Sequence, residues 1–109
     1  MRPIFAVLVL ALGLIMPLRA FAQGPSASVE GIVLDNRTGL GAPGLTASLI
    51  HPQLGRSAPS LTDADGHFEW AAVPVQPDPY YLEIYWGPNL IYRQQVLVQG
   101  PVRLPVLRL

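Results

Sequence analysis

The chain has 109 residues, half of them hydrophobic, with seven Arg, no Lys, no Cys and seven acids, for a formal charge of zero. That length leaves room for one domain. The missing Cys excludes disulfides, thiolate metal sites, cysteine nucleophiles and a lipid attached to a cysteine, and the missing basic cluster excludes the electrostatic footprint of a nucleic-acid binder.

Much of the hydrophobicity lies at the beginning. Met1-Arg2-Pro3 gives a short positive start, Ile4–Met16 carries no charged or polar side chain, and Ala20-Phe21-Ala22 follows with small residues. This layout predicts a cleaved secretory signal peptide over residues 1–22, with the cut between Ala22 and Gln23. The apolar run is too short for a permanent anchor, since about 20 residues are needed to cross a bilayer. Removal leaves Gln23–Leu109 with five Arg against seven acids, a charge of −2. A soluble product exported to the periplasm or beyond the cell follows, a bacterial envelope being the expected setting.

Gln23–Ser28 reads as a flexible lead, and residues 29–109 as one domain. Short apolar runs then alternate with turn residues, and seven strands are expected: Val29–Asp35, Leu45–Ile50, Ser57–Thr62, His67–Ala71, Tyr80–Trp86, Leu90–Val98 and Val102–Leu107. Pro59 marks the third as an edge strand. Ten of the 12 prolines lie after residue 22, which leaves little space for helices. Seven strands at roughly ten-residue spacing predict an all-β fold, a seven-stranded antiparallel Greek-key β-sandwich. Alternation places Phe68, Trp70, Tyr80, Leu82, Ile84 and Trp86 in the core and His67, Glu69, Tyr81, Glu83 and Tyr85 outside. Keeping Leu104 and Val106 inward would turn Arg108 inward too, so a bulge or frayed end is expected near Pro105.

Thr62-Asp63-Ala64-Asp65-Gly66-His67-Phe68 stands between two of these strands. Its acids invite a calcium assignment, but aligning Gly66 with the sixth position of a calcium loop puts Leu61 first and Ala72 twelfth, where acids belong. Asp63, Asp65 and Gly66 therefore read as a structural turn. No metal or cofactor site is expected, and no catalytic residue.

The order Val29-x-Gly31-x-Val33-x-Asp35, Gly41-x-Pro43-Gly44, Thr62–Phe68, Val73-Pro74 and Tyr80-x-Leu82-x-Ile84 resembles the carboxypeptidase regulatory-like domain, one of the transthyretin-like sandwiches. The resemblance spans Val29 to about Leu107. It implies the sandwich fold and an accessory role beside other proteins. Related enzymes fit poorly. Hydroxyisourate hydrolases pair His with Arg and end in Tyr-Arg-Gly-Ser, whereas this chain ends Pro105-Val106-Leu107-Arg108-Leu109, with His51 and His67 in no matching motif. Intradiol dioxygenases hold iron with two Tyr and two His, and here Tyr81 and Tyr85 have no His nearby in sequence. The Lys–Asn crosslink of related adhesin repeats is impossible without Lys.

These residues predict a non-catalytic binding module. Tyr81 and Tyr85, joined by Tyr92, would offer outward aromatic planes to a glycan or to an envelope or extracellular protein. A structural or stabilising envelope protein is the alternative. A small enzyme centred on His67, Glu69 and a turn acid is the less favoured one.

Overall fold

The computed structural model describes residues 24–109, so the expected signal peptide lies outside the described residues. Among these residues there is no helix, and the chain forms nine strands: β1 (Ser26–Leu34), β2 (Thr46–His51), β3 (Gly55–Arg56), β4 (Ser60–Leu61), β5 (His67–Pro74), β6 (Tyr80–Trp86), β7 (Asn89–Val96), β8 (Val102–Arg103) and β9 (Leu107–Arg108). They make two sheets. One runs β5-β1-β8, with β9 also on β1, and the other runs β3-β2-β6-β7, with β4 also on β2.

The nine elements follow the seven expected ones in order. Around the third expected strand there are two short pieces: β4 lies inside Ser57–Thr62, but β3 forms in the stretch expected as the loop before it, and they pair with the two ends of β2 on either side of Ser57-Ala58-Pro59. The last is likewise two pieces, β8 and β9, on either side of Leu104-Pro105-Val106. A proline has no N–H to give to a ladder, so each break falls where one interrupts the run. The expectation of a wholly antiparallel fold needs correction, because β8 and β9 run parallel to β1. Ser26 to Ser28, expected within a flexible lead, belong to β1, where Ser26 lies opposite Pro74 and Ala27 opposite Val73.

One core joins the sheets. Val29 and Val33 from β1 and Phe68 and Val73 from β5 meet Ala47 and Leu49 from β2 and Tyr80, Leu82 and Ile84 from β6. On β1, β2 and β6 these alternate with outward residues, as strands with one buried face require. On β5, Phe68 and Val73 both turn inward because the ladder with β1 shifts register between them. Burying a side chain of this size contributes about 1.5–3 kcal/mol each before chain entropy is counted. Trp70 packs against the core as expected, only partly buried, and its indole N–H donates to the Ala58 carbonyl at 2.8 Å.

Trp86 is the exception, being 60% exposed. It follows the alternation of Tyr80, Leu82 and Ile84 but stands at the end of β6, where the Asp35–Leu45 connection and Leu109 enclose only an open cleft. Its exposure against the half-buried Trp70 predicts that acrylamide quenches the fluorescence of the native chain chiefly through Trp86. Trp86→Phe should leave a markedly less quenchable emission, and an unchanged quenching constant would contradict this placement.

His51, expected in a loop, ends β2 and is buried. Its ring lies 5.0 Å from that of Tyr80, and Nδ1 accepts from the N–H groups of Gln53 at 3.1 Å and Leu54 at 3.4 Å. The ring nitrogen therefore tightens the turn into β3. The signal was present in the sequence, since Ala47, Leu49 and His51 share one parity.

Candidate functional site: an arginine–tyrosine sheet face and a glycine turn

The outward face of the β3-β2-β6-β7 sheet carries two of the candidate residues, Tyr81 and Tyr85. Tyr81, Glu83 and Tyr85 project from β6 on the side opposite Leu82 and Ile84. Register places Ile50 and Gln95 beside Tyr81, Ser48 and Arg93 beside Glu83, and Thr46 and Leu90 beside Tyr85. Arg56, opposite Ile50 on β3, completes the surface.

Glu83 is the centre of this face, its side chain only 13% exposed. The Tyr85 hydroxyl donates to Oε1 at 2.6 Å, Arg56 Nη2 reaches the same oxygen at 3.3 Å, and Arg93 Nε reaches Oε2 at 3.3 Å. The Tyr85 hydrogen bond, followed by the charges of Arg56 and Arg93, holds the Glu83 carboxyl below its ordinary range. In turn Tyr85, and then Glu83, raise the Arg56 guanidinium. The tyrosine rings are engaged too. Arg93 lies over the Tyr81 ring at 4.1 Å and Arg56 over Tyr85 at 6.0 Å, both within cation–π range, and Gln95 Nε2 donates to the Tyr81 hydroxyl at 3.1 Å. The face is a cross-linked polar network with two half-exposed cations at its surface.

A carboxyl whose pKa is lower folded than unfolded adds stability that is full above the unfolded value and fades as pH falls through the folded one. For Glu83 that window lies below the ordinary value of 4.5. Glu83→Gln should therefore lower the urea midpoint at pH 7 by more than at pH 3, where the wild-type carboxyl is itself becoming neutral. The pairs are partly solvated, so the effect at pH 7 should be about 1 kcal/mol or less. An equal loss at both pH values would show that the charge of Glu83 contributes nothing.

Tyr92 does not belong to this face. It lies opposite Ile84, packs against the core, and its hydroxyl donates to Gln94 Oε1. Directly opposed residues share a side of the sheet, so the Tyr92 ring shares the side of Ile84 and not that of Tyr81 and Tyr85.

His67 and Glu69 also lie apart from it, on the outer face of the other sheet. His67 Nε2 is 3.3 Å from Glu30 Oε1 and Nδ1 is 4.0 Å from Asp63 Oδ2, while Glu69 stands opposite Glu30. Arg103 Nη2 sits 3.6 Å from the second Glu30 oxygen. The ring thus partners Glu30 and Asp63 rather than Glu69. Among the described residues no group of three acids or histidines is placed to hold a metal ion.

The Asp63–Gly66 turn is closed by its own side chain and backbone. Asp63 Oδ1 accepts from the N–H groups of Asp65 and His67, each at 2.9 Å, the Gly66 N–H donates to the Asp63 carbonyl at 2.9 Å, and Gly66 adopts φ +78°. The turn then docks on β1 and on the start of the connection that follows it. The Val33 N–H donates to the Gly66 carbonyl at 2.8 Å, and the Ala42 N–H donates to the Val33 carbonyl at 2.9 Å. A Cβ on Gly41 would lie 2.3 Å from the Asp65 carbonyl carbon. Gly41 and Gly66 are thus the two halves of a single backbone-to-backbone contact. That contact is a reason for the two glycine motifs to occur together.

No protein-family model matches the chain, and no curated protein matches it. Solved structures do. A DUF3823 family protein from Parabacteroides merdae aligns with a TM-score of 0.56 at 17% identity, over 79% of this chain and 46% of that one. A streptococcal ancillary pilin aligns with a TM-score of 0.47 at 15% identity, over 79% of this chain and 30% of the pilin. The chain therefore spans less than half the length of either protein. At such identities the first likeness is one of fold alone, a β-sandwich-like arrangement of two sheets.

Proposed function

We propose that this chain is an exported, non-catalytic interaction module of the carboxypeptidase regulatory-like kind. Through the Tyr81–Glu83–Tyr85 face it binds an envelope or extracellular protein. The carrying observation is the convergence of two tyrosines and two arginines on one outward sheet surface around a nearly buried carboxylate. Tyr and Arg are over-represented among the residues that dominate binding energy at protein interfaces, and an arginine half free of its partner reaches a carboxylate with geometric selectivity. A glycan is the weaker candidate, because Arg93 already occupies the Tyr81 ring face on which a sugar would stack.

Export rests on the layout of residues 1–22, and its direct check is the intact mass of the chain recovered from the envelope fraction. A product beginning at Gln23 supports the reading, and one retaining Met1 overturns it. For binding, the tagged chain should co-purify a specific envelope protein, and Tyr81→Ala or Arg93→Ala should reduce its recovery about tenfold, as truncation of an interface hot spot does. Unchanged recovery with both variants would remove this face from the interface. Saturable quenching by one member of a glycan panel would favour the sugar instead.

A further inference from the structure

The strand edges of the two sheets are not alike. On the β2 side of its sheet, the edge consists of the two-residue pieces β3 and β4, broken at Pro59, and the far edge of the other sheet consists of β8 and β9, broken at Pro105. The outer edge of β5 is partly covered, since the Glu69 N–H donates to Ser60 Oγ at 3.1 Å and the Trp70 indole reaches Ala58. β7 is different. It runs eight residues with no proline, pairs with β6 on one side, and among the described residues has no backbone hydrogen bond on the other. A long, unprotected edge of this kind is a template for another strand, and natural sheets ordinarily block it with Pro, Lys or a bulge pointed away. The one irregularity in the β6–β7 ladder lies at its turn end, between Ile84 and Tyr85, and leaves Tyr92–Val96 regular.

The side chains of the strand indicate what fits there. A two-fold axis normal to the sheet keeps both cores on the same side and demands that opposed residues share a face. Centring it on Gln94 sets Arg93 against Gln95 of the other copy and Tyr92 against Val96, all within the regular part of the strand. Polar then meets polar on the outward face, and the Tyr92 ring meets Val96 on the other. The two Gln94 amides face one another, each with its Nε2 donor available because Oε1 already accepts from Tyr92. Centring on Arg93 would instead oppose two guanidiniums, which cross-strand pairing disfavours. Arg93 is the only charge on the strand, so the Gln94 register is free of repulsion.

We infer that β7 pairs antiparallel with β7 of a second copy of this chain, about a two-fold axis at Gln94, joining two sheets, each four strands wide, into one continuous sheet. The same axis leaves the Tyr81–Tyr85 face of each copy on one side of the joined sheet, so the dimer presents it twice.

The test is sedimentation velocity of the purified chain across a concentration series, with two charge variants at one position. Gln95→Glu places a carboxylate opposite Arg93 of the other copy twice per dimer and should tighten the dimer about fivefold at low salt. Gln95→Arg opposes like charges and should weaken it by a similar factor. Gln95 is an exposed surface residue, so neither change removes core packing. Amide exchange should slow in β7 as chain concentration rises, with no matching change in β3 or β4. A wild-type chain and a Gln95→Glu chain that are both monomeric at about 100 µM would overturn the inference. So would a dimer that responds equally to both substitutions, or one whose concentration-dependent protection falls outside β7.

Discussion

Gly66→Val should abolish the cooperative thermal transition of this chain, or lower its stability by about 3–5 kcal/mol, the range reserved for a strained backbone combined with overpacking. Two causes act together. Gly66 sits at φ +78°, a region in which a β-branched residue clashes with its own backbone. The added Cβ would also fall 1.9 Å from the Val33 carbonyl oxygen and 2.9 Å from the Ala42 nitrogen, and both are backbone atoms that cannot rotate aside. Relieving the overlap means separating the turn from β1, which breaks the Val33–Gly66 hydrogen bond as well. Gly39 makes a useful contrast, since it has a similar φ of +75° but nothing within 4 Å of its Cβ position. Gly39→Ala should therefore cost only the conformational term, about 1–2 kcal/mol. Equal melting temperatures for Gly66→Val and wild type, read by circular dichroism, would refute the docking of the turn on β1.

That contrast also separates what the sequence disclosed from what it concealed. Strict alternation over Tyr80–Trp86 gave a strand whose limits the structure reproduces, because a half-buried strand leaves its period in the residues. Asp63 and Gly66 were readable as a turn for a local reason: Asp accepts nearby N–H groups and Gly tolerates positive φ. The parallel pairing of β8 and β9 with β1 was not readable, since nothing local records which distant strand a two-residue segment joins. Trp86 has the parity of the core, yet whether anything covers it depends on where the opposing connection ends. Tyr92 shares its parity with Val96 and Val98, and that signal places it inward, but aromatic grouping with Tyr81 and Tyr85 obscured it. Within the candidate site, Tyr81, Glu83 and Tyr85 were legible as an outward row on one strand. Arg56 and Arg93 were not, because they come from β3 and β7 and meet Glu83 only through cross-strand register. A surface built from three strands is visible only after the strands are paired.

Thr62→Val should cost about 2–4 kcal/mol, although it changes the side-chain shape very little, because it strips the partner from two backbone groups at once. Thr62 is buried, its hydroxyl donates to the Ala42 carbonyl at 2.7 Å, and its oxygen accepts from the Leu45 N–H at 2.9 Å. Its own backbone continues the joint, with the Thr62 N–H donating to the Leu45 carbonyl at 2.9 Å and the Gly44 N–H donating to the Thr62 carbonyl at 3.1 Å. A hydroxyl both donates and accepts, and a methyl does neither, so Val leaves a carbonyl and an N–H without a protein partner beside a buried side chain. Thr62→Ser retains the hydroxyl and loses only a methyl, so it should cost about 1 kcal/mol. The order Val worse than Ser, in urea midpoint at constant m, is the informative result. The opposite order would mean that packing of the Thr62 methyl, and not the hydrogen bonds, fixes the turn to the Ala42–Leu45 segment. Since Thr62 opens the Thr62–Phe68 stretch and Gly66 nearly closes it, losses at both positions would establish that stretch as the joint between the β1–β2 connection and the strand that returns to the core.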